Sequence, residues 1–285
     1  MEIKFDEVFF SYNPKSKIEK EVLKNINIDI KPSKISSIIG KSGSGKSTLV
    51  EMINALNYPT KGTLKINEFI IDSNSKRKIK NINNLRINVG LVFQFPEEQF
   101  FNMTVYDEIK FGMTYFKYQT KDMKKRVIDS LKMVGMDKSF MDRNPFALSS
   151  GEKRKIAIAS ILAFNPSIVI LDEPTIGLDS ISKKNLIHLI RTLKTRYKKT
   201  IIIISHDIEL VHQISDYVYV LNDGKIVLEG EKFELFKNEK KLKEYGIDCP
   251  KAIKFSNLVY EKKGIKIGYR DNINDIIKDV YRNVR

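Results

Sequence analysis

Cysteine occurs once in this chain, at Cys249, so no disulfide can form within it, and such scarcity suits a reducing compartment. Long apolar runs are missing as well: nothing approaches the roughly 18 residues that a membrane span requires. The opening residues, Met-Glu-Ile-Lys-Phe-Asp, lack the apolar stretch of a signal peptide. The expectation is a chain soluble by itself, whose association with a membrane runs through a partner or a surface. Acidic residues are few beside basic ones, 35 against 50, which leaves a formal charge of +15. Such a charge can mark binding to nucleic acid or anionic lipid. Here the lysines are dispersed among asparagine and isoleucine, with no basic stripe interleaved with aromatics. A lysine-rich compositional habit explains them, and no nucleic-acid partner is expected. At 285 residues and 42% hydrophobic content, one large domain with an appendage is expected.

What is present is led by Gly40-Lys41-Ser42-Gly43-Ser44-Gly45-Lys46-Ser47-Thr48, which fits G-x-x-x-x-G-K-[ST]. A backbone that curls round a polyphosphate must aim successive N–H groups inward, and glycines permit the dihedrals and the close approach. Lys46 then supplies a point charge to the β- and γ-phosphates, and Ser47 offers its hydroxyl to Mg²⁺. The helix that starts here directs the positive end of its dipole at the same phosphates. The context agrees, since Ile35-Ser-Ser-Ile-Ile39 reads as a short buried strand and residues 47–56 as a helix.

Elsewhere, residues 2–10 and 22–30 alternate in the manner of strands in an antiparallel sheet. Tyr12 lies between them, either as a turn tyrosine packing on the sheet or as a flat aromatic that stacks on a purine. Residues 63–72 read as another strand pair, 73–84 as a polar, basic loop, and Val89-Gly-Leu-Val-Phe93 as a buried strand ending at Gln94. From Phe95 to about Asn165 the period moves from two towards 3.6, with Val105, Ile109, Phe111 and Met113, then Val127, Ile128, Leu131 and Val134. This predicts a helical subdomain inserted between strands. Leu148-Ser-Ser-Gly-Glu152 opens a further helix, with Ser149 and Glu152 at capping-box spacing.

Ser167-Ile-Val-Ile-Leu-Asp-Glu173 runs four apolar residues into two carboxylates, the pattern of a central parallel strand whose C-terminal end delivers charge to a ligand crevice. Asp172 suits Mg²⁺ held through water, and Glu173 suits orienting or deprotonating an attacking water. The loop Thr175-Ile-Gly-Leu-Asp179 carries another acid. Thr200-Ile-Ile-Ile-Ile-Ser-His206 is the next buried strand, placing His206 near the γ-phosphate.

In this order the motifs resemble the ATP-binding subunits of ABC transporters, over roughly residues 1–235. The resemblance implies an α/β P-loop NTPase of ABC type, with a parallel-sheet core, an antiparallel β subdomain, the inserted helical subdomain and a C-terminal extension. It implies ATP and Mg²⁺ as cofactors. Tyr12 would stack on adenine, and Gly40, Lys41, Ser42, Gly43, Ser44, Gly45, Lys46, Ser47 and Thr48 would hold the phosphates. Ser47, Gln94 and Asp172 would serve the metal, and Glu173, His206 and Gln94 the chemistry. Ser149, Gly151 and Asp179 complete the binding set, with the Ser149 region reaching the ATP of a second subunit. Only one set of motifs is present, so a second homologous ATPase subunit is implied, as a heterodimer.

A narrower likeness lies in Val92-Phe-Gln-Phe-Pro-Glu-Glu-Gln-Phe100, Asn144-Pro-Phe-Ala-Leu148 and Gly224-Lys-Ile-Val-Leu-Glu-Gly230 leading to Leu235-Phe236. These are similar to the second of the two paired ATPases of energy-coupling factor (ECF) vitamin transporters. That likeness implies a transmembrane scaffold subunit met through Glu97 and Glu98, a substrate-binding membrane subunit, and a peripheral place on the cytoplasmic side of the cell membrane. Residues 1–236 would be the ATP-binding domain and 237–285 an extension for pairing. Its last helix carries Ile276, Ile277, Val280, Tyr281 and Val284 on one stripe, which either serves the pair or packs on its own domain. The signature departs from the family's Leu-Ser-Gly-Gly-Gln at Ser150 and Glu152, so the composite site built with it is expected to be the weaker. The alternative is a soluble ABC ATPase acting on nucleic acid or ribosomes. DNA-repair relatives insert a long coiled coil between phosphate loop and signature, and translation-factor relatives carry two motif sets; neither feature is present.

Overall fold

In the computed structural model, which describes residues 2–75, 79–265, 267–268, 270 and 273–283, the chain lays down two sheets and packs helices on them. Strand β1 (Ile3–Tyr12) pairs antiparallel with β2 (Lys20–Ile30), burying Ile3, Phe5 and Val8 against Leu23, Ile26, Ile28 and Ile30. β1 runs two residues further than its alternation suggested: Tyr12 is not between strands but pairs with Lys20 at the strand's end. Strand β3 (Ile35–Ile39) is buried throughout and leads through the glycine loop into helix α1 (Lys46–Ile53). β4 (Lys61–Ile66) and β5 (Phe69–Ile71) return to the first sheet, whose order is β2-β1-β4-β5.

The expected polar loop at 73–84 ends early, because α2 (Ile82–Asn88) begins within it. One fully buried residue, Leu85, anchors this short helix, and Arg86 donates to the Asn54 and Ala55 carbonyls. Leu85 and the half-buried Ile82, the helix's only other apolar residue packed on the same core, are too few over seven residues to leave a period to read. β6 (Val89–Val92) follows, then α3 (Val105–Tyr115), α4 (Met123–Met133) and α5 (Ser150–Leu162), the expected run of helices. Within α3, Ile109 and Met113 are buried but Phe111 is 47% exposed, since a two-residue step on a helix turns the side chain to the opposite face.

β7 (Ile168–Asp172), α6 (Ser180–Thr195), β8 (Thr200–Ile204), α7 (Ile208–Ile214), β9 (Tyr217–Asn222) and β10 (Lys225–Glu231) complete the second sheet, ordered β10-β9-β3-β8-β7-β6. All its pairings are parallel except that of β10 with β9. The central strands are buried on both faces: Ile38, Ile170, Ile202 and Ile204 pack towards the antiparallel sheet, and Ile35, Val169, Leu171, Ile201 and Ile203 towards the helices. This is why those strands are near-continuous runs of isoleucine, valine and leucine.

α8 (Lys232–Lys237), α9 (Glu239–Glu244), α10 (Lys251–Lys263) and α11 (Ile273–Asn283) close the chain. The 236/237 division falls inside α8, and Leu242, Ile247, Cys249 and Ile253 beyond it share one core with Ile39, Val211, Val218 and Val220. The stripe expected on α11 splits. Ile276 is fully buried against Ala252 and Ile267, with Val280 beside it, whereas Ile277 and Tyr281 are 46% and 74% exposed. Neighbouring residues on a helix point about 100° apart, so only the i,i+4 pair stays on the packed face. Val284 lies outside the described residues. Among the described residues, no helix is long and apolar enough to cross a membrane.

Candidate functional site

The glycine loop is shaped by what surrounds it. A Cβ on Gly40, at φ 153°, would lie 2.0 Å from the Leu221 carbonyl oxygen, and one on Gly45, at φ 104°, 2.9 Å from Leu23. Lys46 folds over the loop, its Nζ donating to the Gly40 and Lys41 carbonyls at 2.9 Å each. Burial pushes its ammonium below the ordinary lysine range. Ser44 has a buried Oγ without a hydrogen-bond partner in the loop, a polar atom suited to an anion in the cradle. Ser47 Oγ donates to Asp172 Oδ2 at 2.8 Å, joining the start of α1 to the end of β7.

The carboxylates at the end of β7 are held differently. Burial pushes the Asp172 carboxyl above its usual range, against the bond from Ser47. Glu173 takes a left-handed conformation, φ 46°, and its N–H donates to the Ile204 carbonyl at 2.9 Å. Its Oε1 accepts the His206 backbone N–H at 3.1 Å and lies 2.8 Å from His206 Nδ1; its Oε2 accepts from Ser205 Oγ at 3.3 Å. The residues leaving β8 therefore aim Glu173, while the His206 side chain stays 66% exposed.

These groups face one cleft of about 710 Å³, lined also by Tyr12, Ser42, Gly43, Thr48 and Gln94. Tyr12 is anchored by its hydroxyl, 3.1 Å from Thr48 Oγ1, and by an edge-to-face contact with Phe10. Of Lys41 only the backbone stays with the loop: its side chain turns to Gly246, where a Cβ would meet it at 2.5 Å. Lys20 and Val22 line the cleft unforeseen, carried there by the pairing of β2 with β1; the Tyr12–Lys20 register is the signal that would have found them. Glu51, one turn after Ser47, was also unforeseen. Its carboxyl is raised by burial and by the nearby Asp172, while Asn57 donates to it at 2.6 Å.

Ser149, Gly151 and Asp179 lie elsewhere, round a separate hollow of about 220 Å³ lined by Ser149, Gly151, Glu152 and Ser182. The capping box forms: Glu152 N–H donates to Ser149 Oγ at 3.3 Å, and Ser149 N–H and Oγ donate to Glu152 Oε2 at 2.9 and 2.7 Å. Those bonds from Ser149 hold the Glu152 carboxyl below the usual range. Asp179 caps α6 through the Ile181 and Ser182 N–H groups and accepts from Ser182 Oγ at 2.7 Å. A Cβ on Gly151 would lie 2.4 Å from that same Ser182 Oγ, so the signature helix and the start of α6 sit back to back.

Residues 23–176 match the family described as ABC transporter. This chain belongs to the ABC transporter family. It is 41% identical over 269 residues to the energy-coupling factor transporter ATP-binding protein EcfA2 of Spiroplasma kunkelii, covering 94% of this chain and 87% of that one. Among solved structures, a Clostridium perfringens protein described as part of the ABC transporter complex cbiONQ superposes with a TM-score of 0.74 at 31% identity, over 92% of this chain and 95% of that one. An ATP-binding cassette solved as a dimer in a post-hydrolysis state with ADP and Pi gives a TM-score of 0.70 at 28% identity, over 81% and 98% of the two chains. As an ABC transporter ATPase, the chain binds nucleotide and hydrolyses ATP.

Within this ABC fold, the pair of acids after Gln94 is not equivalent. Glu97 was expected to face a partner, but it is held inside the chain by a two-pronged bond from Arg154; Glu98 is exposed. Arg154 lies on the buried face of α5 with Ala157 and Ile158, and a cation on an apolar stripe is the sequence signal that it has an internal partner. Ser47 and Asp172 offer hard oxygen donors to a divalent cation, with the Gln94 amide on the same cleft. Among the described residues no cluster of three or more His, Cys, Asp or Glu side chains could hold a metal, so such an ion would complete its shell with phosphate and water oxygens.

Proposed function

We propose that this ABC ATPase is one of two paired ATPases of an energy-coupling factor transporter, peripheral to the cytoplasmic side of the cell membrane, powering uptake of vitamins or other micronutrients. The observation that carries the reading is the separation of the two half-sites. Phosphate loop, Asp172, Glu173 and His206 share one cleft, while Ser149 and Gly151 cap a helix beside another hollow. A second ATPase chain would join each half-site to a complementary one, and the kinship with EcfA2 supports an ECF assembly.

In the cleft, Tyr12 stacks on the adenine, the loop's N–H groups and Lys46 hold the phosphates, and Ser44 Oγ gains a partner. Ser47, Asp172 and Gln94 would hold Mg²⁺, which would supply positive charge against the charge developing on the phosphates. Glu173, fixed by Ser205 and the His206 N–H, orients water for attack on the γ-phosphate and takes up its proton. With Nδ1 turned to Glu173, His206 leaves Nε2 for the γ-phosphate. On the outer surface Glu98 is the carboxylate available to a basic partner segment, since Glu97 is already paired.

The test is recovery of the tagged chain from membranes, with identification of the proteins bound to it. A second ABC ATPase and a multispanning membrane protein are expected; recovery with ribosomes or nucleic acid instead would overturn the reading. Glu98→Ala in the assembled transporter is expected to lower solute uptake while the ATPase pair keeps its turnover, and normal uptake would remove Glu98 from the coupling contact.

A further inference from the structure

Arg154 stands five residues beyond Ser149 on α5, is 2% exposed, and distributes its N–H groups over two other segments. Nε donates to Glu97 Oε2 at 2.8 Å and Nη2 to Glu97 Oε1 at 2.9 Å. Nη1 donates to the Pro174 carbonyl at 2.9 Å, and Nη2 also to that of Ile176 at 3.0 Å. Its Cζ lies 6.0 Å from the centre of the Phe95 ring, and a Cβ on Gly177 would lie 3.5 Å from that ring. One guanidinium thus joins the helix headed by the signature, the turn that follows Gln94, and the loop that follows Glu173.

Neutralising the buried Arg154 would need only the bond to Glu97. The bonds to Pro174 and Ile176 have a different consequence. Both segments leave the cleft through a non-glycine residue in left-handed conformation, Phe95 at φ 49° and Glu173 at φ 46°. Such conformations persist only where surrounding contacts fix them. A guanidinium is planar and rigid, so a shift of one partner misaligns the bonds to the others. The packed interior round Arg154 resists smooth deformation, which turns a small displacement at the cleft into movement of α5 as a unit.

We propose that Arg154 is a positioning residue that transmits the nucleotide state of this chain's own cleft, met at Gln94 and Glu173, to Ser149 and Gly151. Resting on the paired-ATPase reading, this makes it the link by which occupancy of one ATP site sets the readiness of the other. Transmission is a coupling free energy, so it is measurable in either direction.

The experiment is amide hydrogen exchange on the full chain with and without Mg-AMP-PNP, for wild type, Arg154→Gln and Glu97→Gln. In wild type the nucleotide is expected to slow exchange in 94–99 and in 149–156 together. Arg154→Gln is expected to keep nucleotide affinity and the response in 94–99 and to lose the response in 149–156. Glu97→Gln, which keeps both carbonyl contacts, is expected to lose part of it. In the assembled pair, Arg154→Gln is expected to bring the Hill coefficient for ATP hydrolysis down to about one. A 149–156 response that persists in Arg154→Gln, or is absent from wild type that binds nucleotide, overturns the inference. Should Arg154→Gln fail to fold, an undiminished response in Glu97→Gln overturns it equally. Wild type that binds no nucleotide at all would instead refute the function on which the inference rests.

Discussion

The cleft and the signature face hold their charged groups in opposite ways. In the cleft, burial pushes Lys46 below its ordinary range and Asp172 above its own, and Glu51 near Asp172 is raised likewise, all towards the neutral form. On the signature face, bonds from Ser149 and Ser182 hold Glu152 and Asp179 below the carboxylate range, deepening their charge. Desolvated groups with incomplete partners are poised for a charged ligand, whereas locally satisfied ones fix backbone. The difference assigns chemistry to the first surface and shape to the second.

The comparison breaks most sharply at Glu173. Glu173→Gln is expected to retain ATP affinity and to lower turnover about 10²–10⁴-fold, the usual scale for a positioned base, while Lys46→Ala weakens binding itself. ATP affinity and turnover on the assembled complex check both, and unchanged turnover in Glu173→Gln would remove the chemistry from the cleft. Glu152→Gln sharpens the contrast from the other side. Glutamine keeps an acceptor for the capping box and removes a charge that, in the proposed pair, would face the second nucleotide. Relief of about 1 kcal/mol, the Coulomb scale of two charges in watery surroundings, predicts about fivefold faster turnover of the pair. A slower enzyme would mean that the carboxylate itself serves the signature.

Stability gives smaller effects. The folded-state pKa of Asp172 is raised, so its contribution to stability is full below the unfolded value and declines as pH rises through the folded one. Above the unfolded value the buried Asp172 carboxyl therefore weakens the nucleotide-free fold, and Asp172→Asn is expected to raise its melting temperature while abolishing hydrolysis. A lower melting temperature would show that the bond from Ser47 outweighs desolvation. The smallest effect concerns Cys249, buried at 3% exposure with Sγ donating to the Phe236 carbonyl. Burial pushes its thiol from 9.0 up to about 12. Stability from the protonated thiol is thus complete below about pH 9 and is lost towards pH 12. Thermal unfolding between these limits should fall more steeply in wild type than in Cys249→Ala, and parallel curves would deny the thiol any role.

Much of this was legible beforehand because it is local. The loop from Gly40 to Thr48, the apolar run into Asp172 and Glu173, and the Ser149–Glu152 box each lie within a few residues, where spacing alone dictates backbone geometry. The short helix at Ile82 left no such trace, having one buried residue, Leu85, and the course of Lys41 towards Gly246 depends on a contact some two hundred positions away.

By itself the sequence determined that a phosphate loop follows a buried strand, that two acids end another, and that Ser149 and Glu152 head a helix, because contiguous patterns fix contiguous structure. Only the tertiary structure decided that Glu97 turns inward to Arg154, 57 residues away, while Glu98 stays outside, and that the α11 stripe divides between Ile276 and Ile277. Adjacent residues of identical chemistry differ in nothing the sequence displays. Which of them is buried depends on the direction from which a distant element packs, and that direction exists only once the chain has folded.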